Sequence, residues 1–171
     1  MPSVQFAQSR VWVAAVFAGL VGGVGMGAVL HSTTNTLPLV GALYGQPTLV
    51  GGWLAHLFNS VVFALVFAGA LTLTPLRSYA TGLTSYAGLG LGYGALLGIV
   101  TGGLVLPVAL NLAGTTTLPV PLWPMPGGSF TFGIFLGVAH LVYGVCLGTA
   151  FGLALAVLPP LSAEAEAAAE H

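Results

Sequence analysis

Charge is what this sequence most lacks. Five of its 171 residues are charged, Arg10, Arg77, Glu164, Glu166 and Glu170, giving a net charge of −1 with histidine neutral. Soluble domains carry roughly 25% charged residues because a water-facing surface needs them. Here 3% are charged, 57% are hydrophobic and the mean hydropathy is +1.03, so lipid is the solvent that suits the chain. Two arginines cannot neutralise a phosphate track, which excludes a nucleic-acid binder. A single cysteine, Cys146, excludes an internal disulfide. The chain also has no acidic pair, no phosphate-cradling glycine loop and no Ser–His–Asp set, so hydrolase and kinase chemistry have no visible equipment and an enzyme is not expected.

Long apolar runs are what the sequence has in abundance. A membrane-crossing helix takes about 20 mostly apolar residues. Four windows qualify, residues 11–30, 49–73, 86–110 and 130–158, and none contains Asp, Glu, Lys or Arg. They are too long for barrel strands, and in lipid the backbone must bond to itself, so helices follow. The first window exceeds a signal-peptide core and lacks a small-x-small cleavage site, so it is expected to be retained. Residues 1–158 thus form one all-α, four-helix integral membrane domain, and 159–171 a short cytoplasmic tail. Arg10 and Arg77 are separated by an even number of crossings, and the loops 32–48 and 111–129 carry no charge. The positive-inside rule then predicts a multi-pass protein of the cell membrane with both termini cytoplasmic. Trp12, Trp53 and Trp123 fall near the predicted boundaries, as interfacial anchors do.

The chain also repeats itself. Ala55-His56-Leu57 recurs as Ala139-His140-Leu141, and at the same spacing Val61 matches Val145 and Phe67 matches Phe151. Gly22 matches Gly98, Gly27 matches Gly103, and Val29-Leu30 matches Val105-Leu106. The pattern predicts two tandem helical hairpins, about 11–73 and 86–158, in a pseudo-two-fold bundle; parallel repeats of this kind occur in transporters. Glycines four residues apart share one helix face and let backbones approach closely. Such rows run through Gly19, Gly23 and Gly27, through Gly90, Gly94, Gly98 and Gly102, and through Gly144, Gly148 and Gly152. They are expected to pack helix against helix, a cofactor groove being the alternative. Pro107 is expected to kink or end the third helix.

His56 and His140 stand out because ionisable side chains inside a membrane are costly. Each is followed, at four-residue steps, by small residues: Ser60, Ala64 and Ala68, or Gly144, Gly148 and Gly152. Both therefore face the bundle interior. Three readings follow. The rings bond structurally to Asn59, Tyr143 or a backbone carbonyl; they ligate a transition metal or the iron of a b-type haem; or they line a proton or ion route. The sharpest is a haem or metal site at His56 and His140, with His31 as a further candidate ligand. The alternatives are a small oligomeric transporter or channel subunit, or a structural accessory subunit of a larger membrane complex. Cys146 reads as a structural thiol, His171 as a terminal residue without a role, and Met26 with Met125 as a soft-metal pair of low specificity.

The stretches Gly92-Tyr-Gly-Ala-Leu-Leu-Gly98 to Leu110 and Ala139-His-Leu-Val-Tyr-Gly-Val-Cys-Leu-Gly148 resemble small four-helix membrane proteins frequent in halophilic archaea and some bacteria. The resemblance covers mainly the second half. It implies a membrane bundle with a histidine in the last helix, here His140, and no established activity.

Overall fold

The computed structural model describes residues 3–121 and 129–158. Trp123, Met125, the tail glutamates Glu164, Glu166 and Glu170, and His171 lie outside the described residues. The regular elements are helical, and no strand occurs among the described residues. Four helices are long and apolar enough to cross a membrane: Ser9–Thr33, Leu49–Leu73, Leu83–Leu112 and Phe130–Val157. The first lies within α1 (Ser3–Thr33), the second is α3 (Leu49–Leu73), and the fourth lies within α6 (Ser129–Val157). The third is composite, running from α4 (Leu83–Leu97) through a π-helical segment (Gly98–Val105) into α5 (Leu106–Leu112). A short α2 (Leu37–Ala42) fills the loop between the first two spans, and a 3₁₀ turn (Pro75–Tyr79) joins the middle two.

Pro107 therefore neither ends the third span nor breaks it. Proline has no N–H to donate, and in an α-helix its ring would strike the carbonyl four residues back. The chain avoids that clash by widening: the Leu106 N–H bonds to the carbonyl of Thr101, a π-type register, just before the proline enters α5. The span stops instead at Gly114, whose φ of +66° suits glycine, and there Thr115 N–H caps the Leu110 carbonyl at 3.1 Å. The expected limits of 86–110 were thus short at both ends.

Arg10 donates from Nη2 to the carbonyl of Leu155 at 2.5 Å. This ties the start of α1 to the last turn of α6, where a cation meets the negative end of the helix dipole. Arg77, in the turn after α3, belongs to the same end of the bundle. The opposite end carries α2 and the loop that follows α5.

In the packing order, α3 lies on α1, α1 on α6, and α6 on α4. The glycine rows make these approaches possible. A Cβ at Gly90 would fall on the carbonyl oxygen of Gly144, and one at Gly144 on that of Gly90, so α4 and α6 touch backbone to backbone. Between α1 and α3, Gly27 accommodates the Trp53 ring, and Gly19 and Gly23 lie against Ala64 and Ser60. α3 and the third span make no comparable close approach. They meet in the half nearer the termini, where the Tyr93 hydroxyl donates to the Phe63 carbonyl at 2.7 Å. Phe67, Tyr93, Tyr86 and Phe151 fill that half, with ring centroids 5.3–5.9 Å apart. In the half nearer α2 the two helices stand apart, and a chamber opens between them.

Candidate functional site

The chamber has a volume of about 530 Å³ and continues into a recess of about 50 Å³. Ligand pockets of roughly 300–1,000 Å³ accommodate a small organic molecule. Met26 and Leu30 of α1 and Leu136 of α6 form its floor. Asn59 and Phe63 of α3 face Thr101, Gly102 and Val105 of the π segment across it. Apart from a few polar groups the walls are aliphatic. His56 and His140 line both the chamber and its recess, although they belong to helices far apart in the chain. The interior placement expected from their small-residue faces is thus observed: His56 is 5% exposed and His140 6%.

Each imidazole is held by a backbone carbonyl, which can only accept and so fixes the tautomer. His56 Nε2–H donates to the Gly23 carbonyl at 2.9 Å. The glycine lets α1 come near enough for that bond. His140 Nδ1–H donates to the Leu136 carbonyl, one turn earlier in its own helix, at 2.8 Å. Gly98 and Gly102 make room for this ring; Cβ atoms there would lie 3.1 Å from its Cβ and Cε1. The space over the glycines beside His140 is thus filled by the imidazole itself.

The two remaining ring nitrogens are acceptors. His56 Nδ1 makes no hydrogen bond among the described residues, and His56 lines the chamber. His140 Nε2 lies 3.2 Å from Thr101 Oγ1, but that hydroxyl already donates its one proton to the Leu97 carbonyl at 2.6 Å. His56 Nδ1 is therefore without a donor, and His140 Nε2 at most shares the Thr101 proton with the Leu97 carbonyl. The one clear donor is the Asn59 side-chain amide. Its Oδ1 accepts from the Tyr44 hydroxyl at 2.6 Å, and its Nδ2 has no partner among the described residues. Asn59 and Tyr143 do not bond to the histidines: Tyr143 donates instead to the Ser60 carbonyl at 2.6 Å.

His31 does not join the pair. Its ring lies tilted against Trp53 at 6.3 Å between centroids, and it is not among the residues that line the chamber or its recess. Among the described residues no three His, Cys, Asp or Glu side chains form a metal-ligand group. A metal at this site would have two protein ligands, fewer than the three or four of a zinc site. Haem fits less well than the residue types alone suggest. The free nitrogen of His56 is Nδ1, next to its own Cβ and backbone, where a macrocycle cannot approach as closely as it can at Nε2. Cys146 is partly buried against Gly25, on another face of α6 than the chamber lining, and reads as packing.

Sequence reasoning found the histidines but not Asn59 with Tyr44 as the donor side of the site. Asn59 lies one turn beyond His56, an i,i+3 step that was visible. The matching Tyr44 depends on the path of α2, which no periodicity announces. No protein-family model, curated protein or solved structure matches this chain, so its function is read from the geometry of this chamber.

Proposed function

We propose that this multi-pass membrane protein binds a small, mostly apolar ligand in the chamber, and that the ligand donates hydrogen bonds to His56 Nδ1 and His140 Nε2. One observation carries this reading: both imidazoles spend their N–H on backbone carbonyls, which leaves each an acceptor nitrogen, and both residues line the same cavity. A ligand hydroxyl that donates to one of these nitrogens gains a hydrogen bond worth about 0.5–1.5 kcal/mol net. The apolar walls supply the remaining affinity by burying a hydrocarbon body.

The test is mass spectrometry of organic extracts from the purified protein, with its visible spectrum and metal content. We expect one compound near stoichiometry with the protein, reduced at least tenfold in a His56→Phe/His140→Phe double variant. A Soret band or stoichiometric metal that depends on the histidines would replace this reading with haem or metal ligation. An extract with no histidine-dependent compound, a featureless spectrum and no metal would sink it.

We also place the protein in the cell membrane with both termini in the cytoplasm, on the strength of Arg10 and Arg77 at one end and no charge in residues 32–48. In a Cys146→Ala background, an impermeant thiol reagent is expected to label Ser78→Cys only in inside-out vesicles. It should label Ser32→Cys only in right-side-out ones. The opposite pattern would invert the orientation.

A further inference from the structure

The gap between α3 and the third span lies at membrane depth. Asn59 is ten residues into α3, about 15 Å along its axis, and Val105 is seven residues from the end of α5, about 10 Å. The hydrocarbon core is about 30 Å thick. Val105, a span residue on the chamber's rim, is 54% exposed, so the gap opens there toward acyl chains. An amide N–H with no partner at that depth is costly, since lipid tails offer no acceptor. The chamber thus presents two acceptors at its inner wall, one donor at its lateral rim and hydrocarbon between them.

Resting on the reading of the chamber as a binding site, we infer that its ligand is a membrane-dissolved hydroquinone. It enters sideways through this gap with its apolar tail left in the bilayer. One ring hydroxyl donates to His56 Nδ1 and the other to His140 Nε2. A hydroxyl oxygen keeps a lone pair for Asn59 Nδ2–H. A hydrated ion gains nothing from a lateral, apolar entrance. A fatty alcohol carries one donor for two acceptors. The oxidised form of the same ring carries two carbonyl oxygens and no donor, so its lone pairs would face those of the imidazoles. The site therefore selects the reduced state by hydrogen-bond polarity alone.

The experiment compares a decyl-substituted benzohydroquinone with its quinone, and with decanol, in partition between proteoliposomes and empty liposomes under anaerobic conditions. The expected result is saturable binding of the hydroquinone at least tenfold tighter than of the quinone. Asn59→Leu should weaken it about tenfold, and Asn59→Gln should restore most of that loss. Equal binding of both redox forms overturns the inference. Histidine-dependent binding of decanol without the hydroquinone also overturns it, while leaving the binding site in place. Saturable binding of none of the three overturns the inference, and the extracted-compound measurement then decides the parent reading separately.

Discussion

Replacing Gly144 by leucine is expected to prevent α4 and α6 from docking. The new side chain would start inside the space held by the Gly90 carbonyl, and Gly94 Cα lies 3.0 Å from its Cβ position. Overpacking a core that can adjust its side chains costs about 1–3 kcal/mol. Here the obstacle is backbone on both faces, which cannot rotate away. The loss should therefore reach about 3 kcal/mol or more, roughly a hundredfold in the ratio of folded to unfolded protein. Gly137→Leu, in the same helix, and Gly92→Leu, in the facing one, are the controls, because a Cβ at either meets nothing within 4 Å. Thermal midpoints and monodisperse yield in detergent should drop sharply for the first variant and stay near wild type for the other two. Equal damage from all three would mean that glycine is needed for something other than close approach.

That contrast separates what the sequence disclosed from what it concealed. The four spans were legible because each is a long uncharged run, and lipid leaves such a run no option but a helix. The inward turn of His56 and His140 was legible from the small residues four apart on their helix faces. The glycine rows were legible as packing, but not as to partner: Gly98 and Gly102 proved to cradle an imidazole, whereas Gly90 and Gly94 meet a backbone.

What stayed hidden depends on contacts between distant segments. α2 has six residues and begins at a proline-containing turn, too short for periodicity to reveal. It is set by Gly52, where a Cβ would overlap the Leu37 carbonyl. The π segment was foreshadowed only as a kink at Pro107, because a missing N–H says that the register must change and not how. The repeat implied equivalent hairpins, yet α1 packs closely on α6 while α3 and the third span part above Tyr93. That parting is the chamber. Two segments of similar sequence can thus carry their histidines to one cavity through different bonds, one across to α1 and one within α6.

Single replacements of the two histidines should give the second large effect, and its direction tests whether they serve binding or folding. His56→Phe keeps a flat ring against Trp53 but removes the bond to Gly23, whose carbonyl stays within its helix. His140→Phe keeps a ring in the Gly98–Gly102 cradle and returns the Thr101 hydroxyl wholly to Leu97. A ligand hydroxyl facing phenyl instead of a lone pair is left unpaired at a cost of about 1–3 kcal/mol, so each variant should bind about tenfold to a hundredfold more weakly. Thermal stability without ligand should hold or rise, since a polar ring inside lipid is replaced by an apolar one. A structural role predicts the reverse, a lower midpoint with affinity unchanged in the protein that still folds. The two outcomes cannot be confused, because one moves affinity and the other moves the melting temperature. If binding is the role, the cost of burying two imidazoles in a membrane is tolerated for the ligand, and the apo protein should be stabilised when their lone pairs are finally supplied with donors.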